Sequence, residues 1–162
     1  MPLSIQFLTF RPGNVTILSS VLIADCAASA RPLDMDIHIQ PFSIPHYPSL
    51  MIAMSKPAYL AIQEYSPSKP VIIFVSSRRQ CRLTVDDILT HCGADNKLDV
   101  FLNIELADLQ PHLDHICDKS LVETLKNGIG YYHEALDKQD KRIVQRLFES
   151  GAIQVLVASK VC

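Results

Sequence analysis

No two cysteines of the sequence are spaced as C-x-x-C, and the five present (Cys26, Cys81, Cys92, Cys117 and Cys162) are odd in number and widely separated. That pattern argues against a disulfide framework or a zinc knuckle and fits reduced thiols of a cytosolic or nuclear protein. No run approaches the ~18 consecutive apolar residues of a membrane span. Neither sign of charge is in large excess: the formal net charge is −2. A general basic field is thereby excluded, so any contact with nucleic acid has to come from a local cluster of Arg or Lys. Missing too are a G-x-x-x-x-G-K-[ST] loop and an acidic Walker B-type segment to hold Mg²⁺, so these 162 residues do not carry a complete nucleotide site.

What is there is one domain's worth of apolar sequence. Apolar residues make up 48% of the chain and charged residues 20%, enough to bury a single core of ordinary size. Residues 1–30 show no sustained period and read as an irregular segment. Within them, residues 15–30 hold the apolar run Val21-Leu22-Ile23-Ala24 and end in Ala28-Ser29-Ala30, which mimics a secretory cleavage site. Asp25 interrupts that run and Arg11 is the only basic residue before it, which weighs against a signal peptide.

From residue 33 the pattern sharpens. Residues 33–40 alternate with Met35, Ile37 and Ile39 on one face, as a half-buried strand does. Past a turn rich in proline (Pro41, Pro45, Pro48), the residues Leu50, Met51, Met54, Ala58, Ile62 and Tyr65 fall at helical spacing despite Pro57. Val71-Ile72-Ile73-Phe74-Val75 is a continuous β-branched and aromatic run, the kind that suits a strand of a parallel sheet covered on both faces. Cys81, Val85, Ile88, Leu89 and Cys92 then form one helical stripe, with Gly93 where a left-handed C-cap is wanted. Residues 95–125 read as short helices with a break near Asp118. Residues 128–132 read as a short strand. Asp137 is placed to cap a helix, with Asp140 three residues on and Ile143, Val144, Leu147 and Phe148 as its buried face. Gly151 ends that helix, and residues 153–157 give a final strand. Strands and helices therefore alternate as in a βαβ sheet, whose ligands meet the loops after the strands' carboxyl ends.

Two of those loops carry candidate chemistry. Ser76-Ser77-Arg78-Arg79 sets two hydroxyls and two guanidiniums at the mouth of a helix, where free N–H groups and the macrodipole favour an anion such as a phosphate. Taken alone, the loop reads first as a solvated helix N-terminus. His133-Glu134, directly after a strand, suits a contact with nucleic acid or a neighbouring domain, and equally a turn with a structural hydrogen bond. Other clusters carry less. His91 with Cys92, and His112 with His115 and Cys117, match no zinc-ligand spacing. Cys81 belongs to an apolar stripe, which makes it inert core rather than a nucleophile paired with His91. Asp86 and Asp87 diverge by about 100° on a helix and read as a solvated face.

Taken in order, these motifs resemble those of the superfamily-two, superkiller-type RNA helicases. Pro70-Val71-Ile72-Ile73-Phe74-Val75-Ser76-Ser77-Arg78-Arg79-Gln80 resembles helicase motif IV. Asn127-Gly128-Ile129-Gly130-Tyr131-Tyr132-His133-Glu134-Ala135-Leu136 resembles the family's tyrosine/histidine turn, with Ala135 in place of a usual glycine. Arg142-Ile143-Val144-Gln145-Arg146-Leu147-Phe148 is similar to the helix behind that turn, and Ile153-Gln154-Val155-Leu156-Val157-Ala158-Ser159 to the strand entering motif V. Arg31-Pro32-Leu33-Asp34-Met35-Asp36-Ile37-His38-Ile39-Gln40 is similar to the opening of the second RecA domain in the large tandem-cassette members.

The resemblance implies an α/β, RecA-like (P-loop NTPase-type) parallel sheet with flanking helices, incomplete in this chain. Residues 31–162 would form part of the second RecA-like domain, and residues 1–30 a truncated linker or remnant in which Leu18-Ser19-Ser20 echoes motif III. It implies nucleic-acid contacts by Ser76, Ser77, Arg78, Arg79, His133 and, less directly, Ser159, with no catalytic residue and no metal ligand in this chain. It further implies a parent that uses ATP and Mg to unwind RNA in nuclear pre-mRNA splicing, with the preceding RecA domain and spliceosomal proteins as partners and no membrane. Because the motifs stop within motif V, the isolated chain is expected to bind no cofactor and to be inactive. His133-Glu134, where active cassettes tend to carry two histidines, is similar to a carboxy-terminal cassette regarded as a degenerate ATPase. A non-catalytic docking module therefore stands as the alternative.

Overall fold

The structure, a computed structural model, describes residues 4–11, 16–19 and 34–159. Its six strands are β1 (Ser4–Arg11), β2 (Thr16–Ser19), β3 (Asp34–Pro41), β4 (Val71–Val75), β5 (Ile129–Tyr132) and β6 (Val155–Ser159). Five helices accompany them: α1 (Tyr47–Tyr65), α2 (Arg78–Ala94), α3 (Leu106–Leu113), α4 (Lys119–Leu125) and α5 (Lys138–Glu149). All strands join one sheet in the order β3-β1-β2-β4-β6-β5. Strands β2, β4, β6 and β5 run parallel, while β1 pairs antiparallel with both β2 and β3. This is the α/β, RecA-like parallel sheet with flanking helices that the motif order implies, and it is incomplete.

The parallel centre follows from its sequence. Strand β6 lies between β4 and β5, with Ile73 opposite Val157 and Tyr131 opposite Val157 from the other side. On the covered face Val71, Val75, Val155 and Val157 are buried, as are Ile88 and Val85 of α2. Each such side chain, fully withdrawn from water, contributes roughly 1.5–3 kcal/mol. The run 71–75 is not covered on both faces, however: Ile72 is only half-buried and Phe74 is exposed. A continuous apolar run marks a parallel strand correctly here and overstates what packs against its second side.

Helix α1 continues through Pro57, with Pro48 in its first turn, where a missing N–H costs nothing. Its Tyr59 hydroxyl donates to Asp95 at 2.8 Å, and Ser55 Oγ meets His91 Nε2 at 3.2 Å, locking α1 to α2. Burial, helped by the Asp95 carboxylate, pushes the Tyr59 phenol up to about 12.

The C-cap of α2 corrects the sequence reading. Gly93 stays helical, and the left-handed residue is Asn96, with φ of 55°. The N–H of Asn96 reaches the Gly93 carbonyl at 3.1 Å and that of Lys97 the Cys92 carbonyl at 2.8 Å, a Schellman closure built on asparagine. Helix α5 closes in the same way with Gly151, at φ of 76°, as expected.

Strands β1 and β2 occupy residues that the sequence gives no period for. In Ser4–Arg11 the apolar positions Ile5 and Phe7 are followed by Leu8 and Phe10, so the alternation changes phase midway. Pairing with neighbours on both sides makes the strand where local patterning does not. The cleavage-like Ala28-Ser29-Ala30 and the run Val21-Leu22-Ile23-Ala24 lie outside the described residues, as does Ser20 of the motif III echo. Among the described residues, no helix is long and apolar enough to cross a membrane.

Candidate nucleic-acid interface

Strands β4 and β5 deliver two loops to one edge of the sheet, at residues 76–77 and 133–137. After β4 comes Ser76, whose Oγ hydrogen-bonds with the hydroxyl of Tyr47 at the start of α1. Ser77 follows with extended backbone and N-caps α2, its Oγ accepting from the Gln80 N–H at 3.3 Å. Arg78 and Arg79 occupy the first turn of α2, both exposed. Neither forms an ion pair with a carboxylate of the described residues. Their own N–H groups belong to the first turn, which has no intrahelical acceptor. Two cations at a helix N-terminus oppose the macrodipole, and an anion bound there would relieve both effects.

One turn along α2 stands Arg82. It pairs with Asp118 at 2.7 Å and lies over the Tyr131 ring, 5.6 Å from the centroid. Asp118 also accepts the Tyr131 hydroxyl at 2.9 Å and caps α4 through the Ser120 N–H at 3.0 Å. Burial raises the Asp118 carboxyl, but the Tyr131 hydroxyl and Arg82 outweigh it, and the net displacement is downward. Burial likewise pushes the Tyr131 phenol well up.

After β5, His133 is only 5% exposed and stacks on Tyr131, ring centroids 5.7 Å apart. Burial holds its imidazole below the ordinary range, with Arg82 and Arg78 acting in the same direction against Glu134 and Asp118. The ring is therefore neutral near pH 7, and its Nδ1 has no hydrogen-bond partner among the described residues. Glu134 is exposed, its carbonyl accepting Lys141 Nζ at 2.7 Å and its carboxylate the Ser159 hydroxyl at 3.4 Å. Its own backbone N–H, with Ser159 adding to the effect, keeps the carboxyl below its usual range.

These walls enclose a cleft of about 570 Å³. Arg78, Arg79 and Arg82 form one side, and Cys117, Asp118, His133, Asp137 and Asp140 contribute to the other. Its three carboxylates are already engaged. Asp118 is paired with Arg82, Asp137 caps α5 through the Gln139 N–H at 2.8 Å, and Asp140 accepts the N–H groups of Cys117 and Asp118 at 3.0 and 3.2 Å. The cations left to serve a ligand on this face are Arg78 and Arg79.

Of the residues singled out from sequence, Arg78, Arg79 and His133 share the cleft. Ser76 and Ser77 lie beside it with their hydroxyls in use, and Ser159 is buried behind Glu134 at 2% exposure. Arg82 was not among them, although its spacing of four from Arg78 puts both on one helical face. Asp140 is no capping-box partner of Asp137: its carboxylate turns to the 117–118 backbone, more than twenty positions away in sequence. Cys81 is fully buried and burial pushes its thiol up to about 11; its Sγ lies 3.9 Å from the Tyr132 carbonyl. His91 faces Ser55 instead. Among the described residues, no group of three or more His, Cys, Asp or Glu side chains could hold a metal ion.

Comparison with known proteins adds a further line. No protein-family model matches the chain. The chain is 50% identical over 132 residues to the U5 small nuclear ribonucleoprotein 200 kDa helicase of Homo sapiens, a match spanning 82% of this chain and 6% of that protein. It is 44% identical over 131 residues to the DExH-box ATP-dependent RNA helicase DExH14 of Arabidopsis thaliana, covering 81% and 6% respectively. Identity is 39% over 131 residues to the activating signal cointegrator 1 complex subunit 3 of Homo sapiens, again covering 81% and 6%. The chain thus spans about 6% of the length of the curated relatives it matches.

Proposed function

This chain is a homologue of a segment of the DExH-box RNA helicases, and from that premise we propose that it supplies one of the surfaces by which such an enzyme holds an RNA strand. Arg78 and Arg79 contact consecutive phosphates, supported by the unpaired N–H groups of the first turn of α2. Ser76 and Ser77 flank the strand, His133 offers a neutral ring nitrogen from the cleft floor, and Ser159 acts through Glu134. The observation that carries the reading is the pair of guanidiniums without a close ion pair among the described residues, at a helix N-terminus on the carboxyl edge of a parallel sheet. Contacts of this kind fix the position of a strand without reading its sequence.

In the parent protein, ATP and Mg²⁺ drive opening and closing of two RecA domains, this one providing a wall of the ATP cleft. The residues here do not fit the whole nucleotide: they hold neither a phosphate loop nor a converging acidic set among the described residues. The setting we propose is pre-mRNA splicing in the nucleus, with RNA, the preceding RecA domain and spliceosomal proteins as partners. One feature favours a second reading, in which the domain docks proteins within a cassette that does not hydrolyse ATP. Glu134 brings a carboxylate to a loop where the resemblance leads one to expect a second histidine, and that charge opposes a phosphate.

The test is fluorescence polarisation of a labelled short uridine oligomer titrated with the chain. Two neutralised phosphates predict a dissociation constant near about 10⁻⁴ M and a slope of log K against log salt of about −1.4. Tight binding with no dependence on salt between about 50 and 200 mM would contradict the reading.

A further inference from the structure

A second cationic surface shares no lining residue with the cleft, although it lies just beyond the turn that forms one of its walls. There α3 and α5 border a groove of about 350 Å³ lined by His112, His115, Gln139, Arg142, Ile143 and Arg146. The turn that forms one wall is built rather than loose. Gln139 Nε2 donates to the His115 carbonyl at 3.0 Å, and buried Asp140 accepts the N–H groups of Cys117 and Asp118. No carboxylate lines the groove.

Arg142 and Arg146 are exposed and form no ion pair with a carboxylate of the described residues. Arg146 suits the last turn of α5, but Arg142 stands one helical turn before it, a spacing at which like charges repel, so helix stability does not account for both. The lining between the cationic heads is mostly apolar, with half-buried Ile143 at its base. A bare phosphate chain has nothing to offer such a floor. A peptide that alternates carboxylates with an aliphatic side chain complements both parts, charge at the rim and methyl groups below.

We infer that the α3/α5 groove is a docking site for an acidic segment of a partner protein carrying an apolar anchor between its carboxylates. The site is separate from the proposed RNA contacts, and its test does not depend on them.

The probe is a fluorescein-labelled peptide of aspartates and glutamates around a central leucine, titrated into the 162-residue chain. Binding should weaken at least tenfold with Arg142→Glu/Arg146→Glu, and by a smaller factor with Arg142→Gln/Arg146→Gln, which keeps the helix free of new charge. It should weaken severalfold when the leucine of the probe becomes serine, and stay unchanged with Arg78→Glu/Arg79→Glu. Circular dichroism melts confirm that the α5 variants are folded, as expected for exposed positions. Equal affinity of the parent chain and the Arg142/Arg146 variants overturns the inference. So does an indifferent leucine, or displacement of the peptide by a uridine oligomer, since that would make the groove an RNA surface.

Discussion

Gly128→Ala is expected to cost the domain about 2–5 kcal/mol, whereas Gly151→Ala should cost only about 1–2 kcal/mol, although both glycines have φ of 76°. The shared part is the left-handed backbone, which an L side chain occupies at a penalty of about 1–2 kcal/mol. The difference is space. At Gly151 a new methyl group meets nothing within 4 Å. At Gly128 it would land far inside van der Waals contact with the Phe101 carbonyl and the Leu102 nitrogen, which are backbone atoms and cannot swing aside. Overpacking adds about 1–3 kcal/mol. The displaced segment also matters, because Phe101 accepts the Gln154 N–H at 3.0 Å and Leu102 bridges Ile153, just where β6 begins. Urea denaturation of the two variants beside the parent chain gives the comparison; similar midpoints for both would show that Gly128 is not pressed against the 101–102 backbone.

Charge reversal at the cleft should be the largest functional change. Arg78→Glu/Arg79→Glu removes two charge-assisted contacts, each contributing about 1.5–3 kcal/mol, and sets two carboxylates against the phosphates. Uridine-oligomer binding should fall at least about a hundredfold, and the salt dependence should vanish with it. Arg142→Glu/Arg146→Glu makes the same change in net charge elsewhere on the domain. Its effect on RNA should be much smaller, since neither arginine lines the cleft and exposed charges are screened at ordinary ionic strength. If the two double variants weaken RNA binding equally, the grip is a diffuse field and not a site.

Much of this architecture is legible in the residues themselves. Val71–Val75 and α2 are marked by local signals of composition and period, which survive folding when packing agrees with them, while the final strand sits two residues beyond the 153–157 that its apolar run suggests. The exposed half of the candidate site, Arg78 and Arg79, can be read for the same reason: strand, polar turn and helix follow in a line, and the helix mouth falls on the loop. What the sequence hides is non-local. Asp140 stands where a capping partner of Asp137 is wanted, and only the folded chain reveals that its carboxylate is taken up by Cys117 and Asp118. Burial of His133 and Ser159 likewise depends on what neighbouring elements cover, so both look more available as letters than they are as side chains. Asn96 takes the left-handed position because α2 runs on through Gly93 to Ala94 and caps at Asp95, whose carboxylate is held by Tyr59 of α1. Phe74 makes the converse point, an apolar residue that the described fold leaves exposed.

Amide chemical-shift mapping of the isotopically labelled chain, titrated with a short uridine oligomer, reaches the heart of the matter. The account predicts that the resonances that move are those of residues 76–79 and 133–137, the two loops that meet at the cleft. Saturable binding that leaves these loops unmoved and perturbs the α3/α5 groove or the outer face of α1 instead would contradict it.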